Sequence, residues 1–496
     1  MPTLTLIPLL APLALLAGAL ASLAVRGPAA LRGLRAAALT AVAAALTSLA
    51  LVAATGAADG YLFRLDPVSA ALLALVTGLG AVILPFSIRY LDGDPRRHVF
   101  LARLALTLAM VTTLVIAGNL VLMALAWIGM SLALHGLLTF RRERPAARLA
   151  ARHKFILARL SDAALVVAVA LLTAHFGTAH VATISDAIRQ GADVPTAAPL
   201  LLALAAILKS ALLPVHGWLT RVIDAPTPVS ALLHAGLVNA GGAMLIRLSD
   251  ILSAAPAAMT LLAVTGAASA IVAGLVALTQ CSAKQALAWS TIAQMGFMLM
   301  QCGLGLWALA LLHIVAHSIY KAHAFLRAGS AVETIRAIRP GAPRATLPTA
   351  LAALALSTAL VAAIGAAFGL NPASDPQVLA LGAVLGAGLL PLLAPALAAP
   401  RLAPRGLGTA ALVTAGYFAV HAAAGSFFAG LPQPPALSPA ALTALALGTA
   451  AFAAAGLVQT LAPGRTGAGW AALRLHLARG LYLDTLLTRA LPAPKA

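Results

Sequence analysis

The sequence predicts an all-α polytopic membrane protein of about 13–15 transmembrane helices, on three observations. Of its 496 residues, 62% are hydrophobic and 9% charged, against about 25% charged in soluble domains. Apolar runs recur from Leu4 to Leu461, each near the ~20 residues needed to cross a bilayer. The basic residues collect in alternate loops between these runs, as the positive-inside rule produces. The net charge of +19 therefore belongs to membrane loops. No basic face interleaved with aromatics points to nucleic acid. Cys281 and Cys302 stand far apart in apolar surroundings without a zinc or CxxC spacing, so both read as small apolar residues.

Taken in order, the first two runs cover residues 4–25 and 31–54, with Arg26, Arg32 and Arg35 at their junction. The first has no basic lead and is followed by further runs, so it reads as a span and not a signal. The third covers 67–88 and is trailed by Arg89, Arg96 and Arg97. The fourth and fifth, 100–117 and 120–138, turn at Gly118-Asn119. Arg141, Arg142, Arg144, Arg148, Arg152 and Lys154 follow and are read as loop. The sixth covers 155–176, with Arg159 and Asp162 three apart on one helical face. An interrupted pair then fills 204–252. Runs at 257–278, 286–300 and 304–326 come next, then four more at 348–369, 377–398, 407–423 and 439–461. The loops after runs one, three, five, nine, eleven and thirteen hold most of the arginine and lysine. This places the N-terminus outside and the C-terminus in the cytoplasm. The chain reads as one transmembrane domain, 1–461, and a cytoplasmic tail, 462–496, with an amphipathic piece at 470–487.

The interrupted pair carries the first chemistry. An apolar helix bears Lys209, and Pro214 breaks it five residues on, since proline removes a backbone donor and clashes with the preceding turn. Ala225-Pro226-Thr227-Pro228 then starts a second helix bearing His234. Broken backbone survives in lipid only within protein or beside water. Lys209 thus marks either a buried, hydrated ion site or a kinked helix whose amine snorkels to the surface. Only five of the 32 basic residues are lysine, and a buried lysine can release its proton where arginine cannot. Burial disfavours a charged amine and a nearby carboxylate favours it; an amine held between the two can load and unload. His234 reads as a relay group or as a satisfied core histidine.

His313, His317 and Lys321 are spaced four and four, so they form one stripe on one helix. The stripe reads as a proton relay or as polar packing. A zinc site there would lack an acidic third ligand. Arg159 and Asp162 form either a self-satisfied pair or a device that tunes Lys209. Asp224, in the link after the break, is placed to bias or gate that lysine. Lys284 lies near a cytoplasmic helix end, where topology accounts for it, and is grouped with the tuning residues. Trp218 and Arg221 read as interface anchors.

Five stretches resemble a known family: KSALLPVHGWL at 209–219, APTPVSALLHAG at 225–236, RLSD at 159–162, AKQALAWSTIAQMGFM at 283–298 and HIVAHSIYKAHAFLRAGS at 313–330. They are similar to the antiporter-like membrane subunits of NADH:quinone oxidoreductase and of Mrp-type sodium/proton antiporters, over about residues 65–332. Within that superfamily, residues 127–162 and 234–252 most resemble DabB, the membrane subunit of DAB inorganic-carbon accumulation complexes. The resemblance implies an antiporter-like fold with a broken helix near Pro214. It implies ion translocation through Lys209, His234, His313, His317 and Lys321. It also implies a cytosolic zinc partner, DabA, similar to β-carbonic anhydrases. Coupled to a cation gradient, proton or sodium, that partner would hydrate CO2 to bicarbonate. No covalent chemistry, cofactor or metal is expected in this chain. The respiratory subunits carry glutamate after the tryptophan of the fifth span; here Ile128 follows Trp127, and Asp162 is the best substitute. No lysine lies between Lys321 and Lys495, so the second half-pathway of some respiratory subunits is not complete here. An antiporter-like subunit of a respiratory or Mrp-type complex is the alternative reading.

Overall fold

The computed structural model describes residues 4–141, 143, 145–222, 225–330, 344–437, 439–462 and 467–485. After a 3-10 lead at Leu4–Leu9, the helices run α1 (Leu10–Ala24), α2 (Pro28–Thr55), α3 (Pro67–Tyr90), α4 (Arg97–Ile116), α5 (Leu120–Leu138) and α6 (Pro145–Phe176). Short pieces follow: α7 (Val181–Arg189), α8 (Ala197–Lys209), α9 (Gly217–Arg221), α10 (Thr227–Ala235), α11 (Ala240–Arg247) and α12 (Ser249–Ser253). Then come α13 (Pro256–Ala277), α14 (Ala283–Gly303), α15 (Trp307–Leu326), α16 (Leu347–Ala367), α17 (Pro376–Gly388), α18 (Leu390–Leu397), α19 (Ala403–Phe427), α20 (Pro439–Leu461) and α21 (Ala468–Ala478).

Among the described residues, 12 helices are long and apolar enough to span a membrane, or 13 with α17 and α18 joined across a 53° bend. The protein is thus an all-α polytopic membrane protein. The other two of the fifteen traced runs are the 13-residue α8 and the 21-residue α14. The latter carries Lys284 and three glutamines.

One expectation is sharpened and two need correction. The broken helix expected near Pro214 is present, and its break opens five residues before the proline at Lys209, the last residue of α8. Ala211, directly after it, holds a left-handed φ of 55° although it has a side chain, a conformation that costs about 1–2 kcal/mol. Second, the following span is itself broken. Between α10 and α11 the chain passes through Gly236 and a 3-10 turn, Leu237–Asn239. Third, α6 begins ten residues earlier than its apolar run, which carries Lys154 out of the loop and into the bundle.

In hydrocarbon each freed backbone group needs a partner inside the protein, and the two breaks supply each other. The Ser210 hydroxyl donates to the Val238 carbonyl at 2.9 Å. The Asn239 amide donates to Ala235 O at 3.0 Å, and a His317 ring nitrogen meets His234 O at 3.3 Å. Ser269 Oγ accepts from Leu213 N at 3.1 Å. The approach is close enough to require glycine: a Cβ at Gly241 would stand 2.5 Å from Ser210 Oγ and 2.9 Å from Ala206 O.

Contacts also sort the ends of the bundle. The loop after α3 meets the loop after α5 through Arg96 and Glu143, 3.7 Å apart. Gln280, after α13, donates to Ala478 in the tail. At the other end Arg247 joins Asp66 at 2.8 Å, and Arg189 joins Asp250 at 3.0 Å. Arg64, on a two-stranded ribbon pairing Ala58–Asp59 with Arg64–Leu65, lies 2.9 Å from Asp59. The arginine-rich loops therefore share one face. On the opposite face Arg64, Arg189 and Arg247 are each paired with aspartate.

Gly241→Ala should destabilise the protein by about 1–3 kcal/mol through overpacking, whereas Gly274→Ala, with nothing within 4 Å of its added carbon, should be neutral or better. Thermal unfolding in detergent checks the pair.

Candidate ion-translocation site

Two polar groups are buried in the bundle, back to back across α10. The first is built on α5, α6 and α8. Lys209 is buried, and its Nζ has no hydrogen-bond partner among the described residues. The amine sits 4.3 Å from the centre of the Trp127 ring, which a cation favours. Lys209 is the last residue of α8, and helix carbonyls at a C-terminal end favour a positive charge. Lys209 borders a cavity of about 20 Å³, lined further by Ser131, Lys154, Trp218 and Leu237. That is room for about one water.

Asp162 is the carboxylate whose charge reaches Lys209, with Arg159 also in range. Asp162 is buried and ion-paired with Arg159, whose guanidinium lies over the Phe155 ring. The pair and its reach to Lys209 therefore coexist. Ile128, next to Trp127, is half-buried.

Lys154 is the residue that sequence reading missed. It looked like one more cation of an arginine-rich loop. In the structure it is buried, and its Nζ donates to Ser131 O at 2.8 Å and to Ser131 Oγ at 3.0 Å. Its being the only lysine among the arginines of that stretch was the available signal.

The second group is built on α10, α14 and α15. The His234 ring stacks on Phe325 at 4.3 Å and pairs with Thr291 Oγ1 at 3.1 Å. His317 reaches the His234 carbonyl, and its ring lies 5.9 Å from that of His313. Lys321 is fully buried and donates to Leu287 O at 2.9 Å and Ser290 Oγ at 2.8 Å. The stripe His313, His317 and Lys321 thus faces inward progressively: His313 is half-buried and Lys321 wholly so.

Lys209 and the stripe are not one cluster. Leu233 and Leu237 face the Lys209 cavity, while His234, between them in sequence, turns to Thr291 and His317. Lys284 lies half-buried in the first turn of α14. Pro214 lies in the link between α8 and α9, where its carbonyl pairs with His216 Nδ1 at 3.1 Å. Asp224 lies outside the described residues.

Adjacent interrupted spans, with buried amines and imidazoles at the interruptions, define a membrane transport subunit. Comparison with known proteins agrees. Residues 117–369 match the family described as NADH:quinone oxidoreductase/Mrp antiporter, TM, and residues 60–101 match the N-terminus of complex I chain 5. The chain is 38% identical over 435 residues to the probable inorganic carbon transporter subunit DabB2 of Halothiobacillus neapolitanus, covering 84% of this chain and 78% of that one. It is 43% identical over 280 residues to the probable inorganic carbon transporter subunit DabB of Hydrogenovibrio crunogenus, spanning 56% of this chain and 54% of its length. Its fold matches the structure of the Mrp complex from Dietzia sp. DQ12-45-1b with a TM-score of 0.59 at 24% identity, over 100% of this chain and 58% of that one. The chain belongs to the NADH:quinone oxidoreductase/Mrp antiporter membrane family, in the branch that holds the DabB subunits.

The hydrogen bonding separates the two lysines. Lys209→Met should leave stability unchanged or raise it by about 1 kcal/mol, since a buried charge is exchanged for an apolar side chain of similar length. Lys321→Met should lower it by about 1–3 kcal/mol, because Ser290 and Leu287 lose their donor. Paired unfolding curves on the purified protein test the order.

Proposed function

We propose that this chain is the cation-conducting membrane subunit of an inorganic-carbon uptake complex. The cation is a proton. It moves through the Lys209 group and through His234, His313, His317 and Lys321. Its passage energises a DabA-like cytosolic partner, a zinc protein similar to carbonic anhydrases, which hydrates CO2 and retains bicarbonate in the cell. The subunit sits in the inner membrane with its N-terminus outside and its C-terminus in the cytoplasm.

One observation carries this reading. The Lys209 amine is buried without a hydrogen-bond partner among the described residues, beside space for a water and within the field of Asp162. Loading or releasing a proton there breaks no hydrogen bond among the described residues. The resemblance to DabB subunits supports the carbon substrate. Isoleucine at position 128 separates the chain from the respiratory pattern that places glutamate there.

Cells carrying Lys209→Ala, at equal membrane levels of the subunit, should accumulate inorganic carbon no better than cells without it. Lys209→Arg should fail as well, since arginine keeps its proton. Wild-type uptake by the arginine variant would remove proton loading from the mechanism. Purification of the complex, with its partner and bound metal identified, tests the proposed zinc subunit.

A further inference from the structure

The tail does not trail away from the bundle. After α21, none of whose residues is buried, the chain bends at Gly480, Leu481 and Tyr482, all at positive φ, and returns to the link between α8 and α9. Gly480 is buried against Trp289: a Cβ there would stand 2.8 Å from its ring. Asp484 Oδ2 lies 2.5 Å from Arg221 Nη2 on α9, and Arg221 Nη1 lies 2.5 Å from His153 Nδ1 on α6. The Asp484 carboxylate rests on Gly217, where an added Cβ would stand 1.7 Å from Oδ1. The ring of His216, fully buried, lies 4.7 Å from that of the same Trp289, tilted by 46°.

This cluster adjoins the Lys209 cavity. Trp218 lines that cavity and lies in α9 with Arg221; Lys154 lines it and follows His153 directly. His153, Arg221 and Asp484 therefore stand beside the Lys209 cavity, joined to it through α6 and α9. The charged and titratable groups acting there are Arg152, His153, His216, Arg221 and Asp484. Among the described residues, Asp484 is the carboxylate acting on both imidazoles.

We propose that Asp484 is a positioning residue of the ion path. Through Arg221 it sets the His153 ring, and it holds the segment 480–485 as the cytoplasmic closure of the route from Lys209. This rests on the transport reading above. The docking fits two sequence features with no other apparent use: glycine at 217, which admits the carboxylate, and glycine at 480, which lets the chain turn beneath Trp289.

The test uses the full-length subunit in its complex, with Cys281→Ser and a reporter Leu483→Cys. A membrane-impermeant maleimide is applied to inside-out vesicles, and inorganic-carbon uptake is measured in cells at equal subunit level. Asp484→Asn and Gly217→Ala should each raise the labelling rate about tenfold, as expected when a charge-assisted hydrogen bond is lost. Both should slow uptake severalfold, and Asp484→Glu should restore both. Unchanged labelling overturns the docking. Faster labelling with normal uptake overturns the role in the path. Labelling requires no transport, so an active Lys209→Ala variant would sink the transport reading while the docking result stood by itself.

Discussion

Two interrupted helices inside an apolar bundle free backbone carbonyls and amides that must find partners within the protein, and the rest of the structure answers that constraint. The breaks after Lys209 and at Gly236 lie against each other. Ser210 reaches Val238, His317 reaches the carbonyl of His234, and Ser269 accepts from Leu213. The polar side chains that look like a relay in the sequence are also what makes broken backbone tolerable in lipid. The transport reading and the structural one are two uses of the same groups.

Within that frame the two central lysines differ in kind. Lys321 is held by a carbonyl and a hydroxyl of α14, whereas the Lys209 amine lies over the face of Trp127 and has no hydrogen-bond partner among the described residues. Lys154, bonded to Ser131, lines the same space. The charges that act on Lys209 are Asp162, of opposite sign, and Arg159, of like sign, so displacement of either changes the field at the amine, as the proposed energy coupling requires.

The faces of the bundle complement this. On one side Arg64, Arg189 and Arg247 are tied to Asp59, Asp250 and Asp66 and bind short loops together. On the other the arginines outnumber the acids, so the positive-inside bias is the charge left over after pairing. The returning tail brings one of the few carboxylates of that face, Asp484, to the end of the Lys209 route.

By itself the sequence determined the helical membrane class, the alternation of basic loops, a helix break near Pro214 and the stripe of His313, His317 and Lys321. These depend on local apolarity and on periodicity along one helix, which nearest neighbours in the chain express. The tertiary structure alone decided that Lys154 is interior, that Gly236 opens a second break, that Asp162 reaches Lys209 while His234 turns away, and that Asp484 returns to Arg221. Each of these joins residues far apart in the chain, and each is set by which carbonyls need a donor and which faces pack. That is a property of the assembled bundle, which no single run of residues contains.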